Sequence, residues 1–231
     1  MADADRSRTA VVPRLPTSVT RGLHADELRL HADLGKITRF WANLHEHLAS
    51  VLGKALECDQ KIANGMWHTL RSDLVQRNLL EAAIAEKIKV LHEAAQKAAV
   101  EKSKQAQVFD EYLWAVREIT KHADKRNDLV HSPIYFSLGS DAVSEFEAIV
   151  SDHHGNPRAV KLKGRELFQL CGWVIAFISE MHRFLARLGH ARGEHDPLPS
   201  RPKWAPESSF PSRKEPRRPK PKPPSKAKRP S

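Results

Sequence analysis

ADELRLHADLGKITRFWANLHEHLASVLGKALE, residues 25–57, places Leu30, Leu34, Ile37, Trp41, Leu44, Leu48 and Val51 at alternating spacings of four and three. That period lines one side of an α-helix and leaves the other side to Arg, Glu, Lys and His. A strand would need alternation every second residue, which is absent. A second stripe, Met66, Leu70, Leu74, Arg77, Leu80, Ile84, Ile88, Leu91 and Ala95, predicts a helix over about 64–103, rich in Ala, Glu and Lys. A third, Phe109, Leu113, Val116, Ile119, Ala123 and Val130, predicts one over about 107–131, ending where Pro133 steers Ser132 away from the α region. No Gly or Pro separates the second from the third, but one rod through both would be about 100 Å long, so a break is expected near 101–107.

Between 134 and 164 the pattern changes. EFEAIVSD and RAVKLK flank the turn-rich HHGNP, which predicts a small β-hairpin insertion. A last helix over about 165–190 carries Phe168, Cys171, Val174 (or Ile175), Ile178, Met181, Leu185 and Leu188. The expected fold class is therefore all-α: a four-helix up-and-down bundle over residues 23–195 with the hairpin inserted. Residues 1–22 read as a flexible N-terminal arm and 196–231 as a disordered, Pro-rich basic tail.

The charge is unevenly spread. Residues 197–231 hold eleven basic side chains, two acids and eleven prolines, which accounts for nine of the ten formal positive charges on the chain. Nonspecific attraction for polyanions is thus expected of the tail, through Arg213, Lys214, Arg217, Arg218, Lys220, Lys222, Lys226, Lys228 and Arg229, because closely spaced cations track phosphates without needing a fold. A tethered basic arm would raise the local concentration of RNA at the helical body.

The first residues lack the apolar run of an export signal, and Cys58 and Cys171 are too few and too distant to suggest a disulfide framework. Both cysteines read as free core thiols in a reducing, cytoplasmic setting. No stretch is long and apolar enough for a membrane span. Gly-rich phosphate loops, GxSxG elbows and HExxH are missing, so no cofactor is expected. His45-Glu46-His47 and His153-His154 are the densest histidine clusters; without i,i+4 spacing or a matching Cys/His pair, they read as solvated or turn residues rather than a zinc site. Trp41, Trp67, Trp114 and Trp173 read as core or dimer-interface residues. Gln76, Arg77 and Asn78, with Arg71 and Asp73, read first as a solvated face and second as a polar cluster opposite Arg126.

One segment suggests chemistry. KHADKRNDLVHSP, at the end of the third stripe, sets Arg126 five residues before His131, with Asn127 directly after the arginine. RNDLVH resembles the motif of HEPN domains, in which Arg, a polar residue, three further residues and His fall late in a long helix of a small helical bundle. The resemblance implies an RNA-binding protein and a metal-independent endoribonuclease, with two motifs paired across a homodimer. It is also compatible with a toxin or defence role beside an antitoxin or other protein partner. A Tyr follows two residues after the His in the toxin branch paired with minimal nucleotidyltransferases; here that position is Pro133.

The physical roles follow from the residue types. Arginine presents a planar fork of donors to phosphate oxygens, so Arg126 is the expected transition-state stabiliser. Histidine exchanges protons near neutrality, so His131 is the expected general acid or base, with Asn127 orienting the pair. Residues five apart lie about 140° apart around a straight helix, so either the last turn loosens or a second subunit completes the site. The alternative is a non-catalytic helical dimerisation or protein-interaction module with a basic tail.

Overall fold

A computed structural model of the chain describes residues 17–98, 103–131, 147–150, 160–191 and 196–204, with side chains from 25 onward outside the two short strands. Five helices make up nearly all of it: α1 (Thr17–Leu56), α2 (Gln60–Thr69), α3 (Asp73–Lys97), α4 (Lys104–His131) and α5 (Gly164–His190). The chain is all-α in character. Strands β1 (Glu147–Val150) and β2 (Val160–Lys163) pair antiparallel, Glu147 opposite Lys163 and Val150 opposite Val160. The rest of the segment expected to form a hairpin insertion lies outside the described residues.

The stripe in α1 does what its spacing requires. Leu30, Ile37, Trp41, Leu44, Leu48 and Val51 are buried and Leu34 packs partly buried against them. The helix begins at Thr17, inside the segment expected to be a loose arm, because nothing from 17 to 24 interrupts helical backbone. It ends without glycine. Glu57 takes up the left-handed conformation at φ 52°, and the Cys58 N–H reaches back to the Gly53 carbonyl at 3.1 Å, closing the helix end in a Schellman arrangement. An L-residue there costs about 1–2 kcal/mol, and the ion pair of Glu57 with Lys87 offsets part of it.

The single helix expected over 64–103 is two. Leu70 leaves the helical region at φ −79°, ψ 125°, and caps α2, after which Ser72 starts α3. Met66 and Leu74, read as members of one buried stripe, are 41% and 50% exposed as a result. From Arg77 onward the stripe holds, with Leu80 and Ile84 fully buried. The break expected between the second and third stripes is present: Ala98 caps α3 and α4 starts at Lys104.

The extra short helix changes the direction of everything after it. Trp41 meets Asp73 and Glu57 meets Lys87, so α1 and α3 run the same way. Arg77 meets Thr120 and Glu81 meets Arg117, so α4 runs against α3. Arg29 lies over Phe168 and His47 meets His182, so α5 runs with α1. A simple up-and-down order of four helices does not describe this, because α2 acts as a return leg. The geometry gathers the start of α3, the end of α4 and the middle of α1 at one place.

Residues 196–204 also depart from expectation. They lie against α4 and α5 rather than away from them. Trp204 stacks on Trp114 with ring centroids 5.9 Å apart and meets Phe177 edge-on at 5.0 Å. Arg201 donates twice to the Glu111 carboxylate, at 2.8 and 3.0 Å. The Lys104 ammonium donates to the Asp196 carbonyl. The apolar area that Leu198 and Trp204 cover offsets the ordering of this strap, despite its prolines.

Candidate functional site

An open pocket of about 430 Å³ lies between the start of α3 and the end of α4, lined by Ser72, Asp73, Leu74, Arg77, Thr120, Asp124, Arg126, Asn127 and His131. All three residues singled out in RNDLVH reach it. The helix is regular through His131, so no loosened turn is needed. Thr120, Asp124, Asn127 and His131 are spaced four, three and four apart and form one stripe of α4 facing the pocket. Arg126 sits about 100° from Asn127 around the helix and reaches the pocket from the side facing α1. Its Nη1 donates to Asn127 Oδ1 at 2.9 Å, so Asn127 holds the guanidinium toward the stripe. His131 is exposed at the rim.

Beneath Arg126 is Trp41. Its indole lies under two guanidinium groups, with Arg126 Cζ 5.4 Å and Arg77 Cζ 5.6 Å from the ring centroid. The indole Nε1–H donates to Asp73 Oδ2 at 2.8 Å. Burial alone would raise the Asp73 carboxyl, but the Trp41 hydrogen bond and the charges of His45, Arg126 and Arg77 together hold it below its ordinary value. Burial pulls Arg77 and Arg126 below the usual arginine range, with Asp73 pulling back on both.

A buried polar relay supports this floor. The Gln76 amide nitrogen donates to the Trp67 carbonyl at 2.9 Å and to the Leu70 carbonyl at 3.3 Å, so its Oε1 must accept. His45 Nδ1, 3.1 Å from that oxygen, therefore carries the proton. His45 Nε2 then points toward Asp73 Oδ2, 3.9 Å away, and is otherwise buried without a hydrogen-bond partner. Burial pushes the His45 imidazole below its ordinary value of 6.5, against the pull of Asp73.

The polar residues around the pocket are more buried than their sequence pattern suggests. Arg71 and Asn78 are exposed, as a solvated face requires, but Gln76 and Arg77 are buried, 8% and 3% exposed, and with Asp73 form the polar cluster beside Arg126. His45 is buried as well, while His47 pairs edge-on with His182 at 4.9 Å. Among the described residues no three His, Cys, Asp or Glu side chains converge as a metal-binding group. Trp41, Trp67 and Trp173 are buried, and Trp114 packs against the strap. Cys171 is a core residue whose thiol burial pushes up to about 12; Cys58 is partly exposed. No described helix is long and apolar enough to cross a membrane. Arg213, Lys214, Arg217, Arg218, Lys220, Lys222, Lys226, Lys228, Arg229 and His153-His154 lie outside the described residues.

Asp73 and Arg77 were legible as polar interruptions of an apolar stripe, Trp41 as a core residue. Thr120 and Asp124 carried one signal only, their helical spacing from Asn127 and His131. Comparison with known proteins found no matching family model, no matching curated protein and no matching solved structure.

Proposed function

We propose that this pocket is the RNA-phosphate site of an HEPN-like, homodimeric protein that acts as a metal-independent endoribonuclease. The observation that supports the reading most is the convergence of Arg126, Asn127 and His131 on one open pocket, with Arg126 held by Asn127. On this reading α1, α3, α4 and α5 are the four-helix scaffold, and the β1–β2 pair belongs to an insertion between the motif helix and the last helix.

The chemistry follows from the groups present. The RNA 2′-hydroxyl loses its proton to a neutral imidazole and attacks the adjacent phosphorus. The phosphorus–O5′ bond breaks, and the departing oxygen takes a proton from an imidazolium, leaving a 2′,3′-cyclic phosphate and a 5′-hydroxyl. Arg126 neutralises the charge that builds on the equatorial oxygens. A second His131 from a paired copy supplies the acid while the first serves as base. The basic residues from Arg213 to Arg229 hold the polymer nearby, in a cytoplasmic setting where an antitoxin or other protein could mask the site.

A second reading, a non-catalytic interaction module, draws on the apolar side chains left open where α2 meets α3. Ile62, Met66, Leu74 and Val75 are 58, 41, 50 and 48% exposed. Cleavage of a mixed RNA panel in EDTA decides between them. The ribonuclease leaves cyclic phosphate ends with wild type and loses activity by 100-fold or more, on the order expected for a general acid–base residue, in His131→Ala and Arg126→Ala. His131 is exposed, so its replacement should change stability by no more than about 0.5 kcal/mol. Absence of cleavage by folded, dimeric protein selects the interaction module.

A further inference from the structure

Arg77 is the least expected residue in the molecule. It is 3% exposed, yet of the five N–H donors of a guanidinium only the one on Nε has an acceptor among the described residues, Thr120 Oγ1 at 3.2 Å. Its Nη1 is buried with no hydrogen-bond partner among the described residues. Arg126 is similar: Nη1 is taken by Asn127, and Nε is buried and unpartnered. Neither arginine makes an ion pair with a carboxylate within hydrogen-bonding range among the described residues. A buried cation left with unused donors is costly, and natural cores rarely keep one unless water, an ion or a ligand supplies the missing acceptors.

The third component is backbone. Ser72, Asp73 and Leu74, which line the pocket, are the start of a 25-residue helix, and the Ser72 side chain makes no capping hydrogen bond. Asp73 is committed elsewhere, since its Oδ2 accepts from the Trp41 indole. The first N–H groups of α3 and the positive end of its dipole are therefore available on the side of the pocket where Arg77 lies.

We propose that Arg77 is a second phosphate-binding residue of the pocket, closing with Arg126 and the N-terminus of α3 on a single phosphate group. The chemistry is that of a tetrahedral oxyanion: two forks of donors anchored on the same indole, and a helix N-terminus as the third contact. Thr120 positions Arg77 through Nε and leaves its terminal nitrogens for the ligand. Because Asp73 and Asp124 balance the two arginines, the site selects by donor geometry and not by excess charge, unlike the tail. The proposal shares Arg126 with the ribonuclease reading but does not need cleavage to occur.

The test is a titration of the full chain with inorganic phosphate, following the Trp41 indole N–H in ¹H–¹⁵N spectra, and a parallel titration with a short RNA oligonucleotide. Saturable movement of that resonance is expected, and at lower concentration with RNA if the site reads a polymer phosphodiester, or equally with either if it takes free phosphate. Arg77→Lys keeps the charge and removes the fork, and should weaken binding by about tenfold or more at an unchanged unfolding temperature. Arg77→Met should abolish it, and Arg77→Lys carries the decision if that variant unfolds. Replacing the nine basic residues from Arg213 to Arg229 by Ser should leave the phosphate titration intact.

Wild-type affinity in folded Arg77→Lys, no saturable shift in wild type, or loss of phosphate binding in the tail variant would each overturn the assignment. Phosphate binding that depends on Arg77 in a protein that cuts no RNA would retain the site and sink the ribonuclease. Cleavage that is indifferent to Arg77→Lys would do the reverse.

Discussion

Trp41 and Trp114 each lie under arginine, but the two surroundings differ in how completely charge is matched. Over Trp114, Arg201 sits 4.9 Å from the ring centroid and is gripped twice by Glu111. Its partner is present, its donors face a carboxylate, and the neighbouring Trp204, Phe177 and Phe184 are apolar. Over Trp41, two arginines share one indole, no carboxylate among the described residues grips either, and donors are left over. An arginine whose donors are matched in place fastens two parts of the chain together. One whose donors are unmatched, in a pocket, is stabilised fully only when something else arrives.

The largest effect that would sharpen this contrast is removal of the shared indole. Trp41→Ala should cost about 3–5 kcal/mol, since it opens a core cavity and leaves Asp73 without its donor. Urea unfolding measures it. A loss below about 1 kcal/mol would mean that the two arginines repel one another enough for the site to relax when the ring is gone.

A smaller loss is expected on the matched side. Trp204→Ala should cost about 1–2 kcal/mol, because Trp204 is only partly buried and only the strap depends on it. Protease sensitivity at residues 196–204 should rise while the helical circular dichroism stays constant. Parallel loss of helix signal would show that the strap is integral to the α4–α5 contact.

The smallest effect concerns protons. The folded protein holds His45 below 6.5, so the unfolded chain binds that proton first as pH falls and stability decreases below pH 6.5. Asp73, held below its ordinary 3.8, adds to the loss only at still lower pH, in the same direction. Urea unfolding at pH 7.5 and 5.5 should show the decrease, and His45→Gln should flatten it. An unchanged slope would move the titration to His47, which burial and the nearby charges of His182, Lys54 and His190 also hold low.

The reading from residues alone succeeded where one period ran without interruption. The α1 stripe is buried as its spacing required, and in α4 Phe109, Val116, Ile119 and Ala123 are buried in turn. It missed the division at Leu70–Ser72 because no Gly or Pro marks it. The available signal was a pair of helix-starting residues, Asp59, whose carboxylate accepts from the Lys61 N–H at 2.7 Å, and Ser72. The cluster opposite Arg126 was legible only as a second reading, because nothing in the sequence shows the return leg of α2 that brings α3 back alongside Trp41. The pocket stripe on α4 was legible as spacing, but which face of α4 meets α3 is a property of tertiary packing.

The strap has a mechanical consequence. The nine basic residues that follow Trp204 are those expected to hold a polyanion, and any tension along them enters the body at Trp204 and Arg201 rather than at the end of α5. The load is taken in shear across the flank of α4, by a stacked ring pair and a two-pronged ion pair acting together, whereas a pull at His190 would peel α5 from its C-terminus one turn at a time. The clasp would therefore act as a strain relief between any polymer held by those residues and the helices that form the pocket.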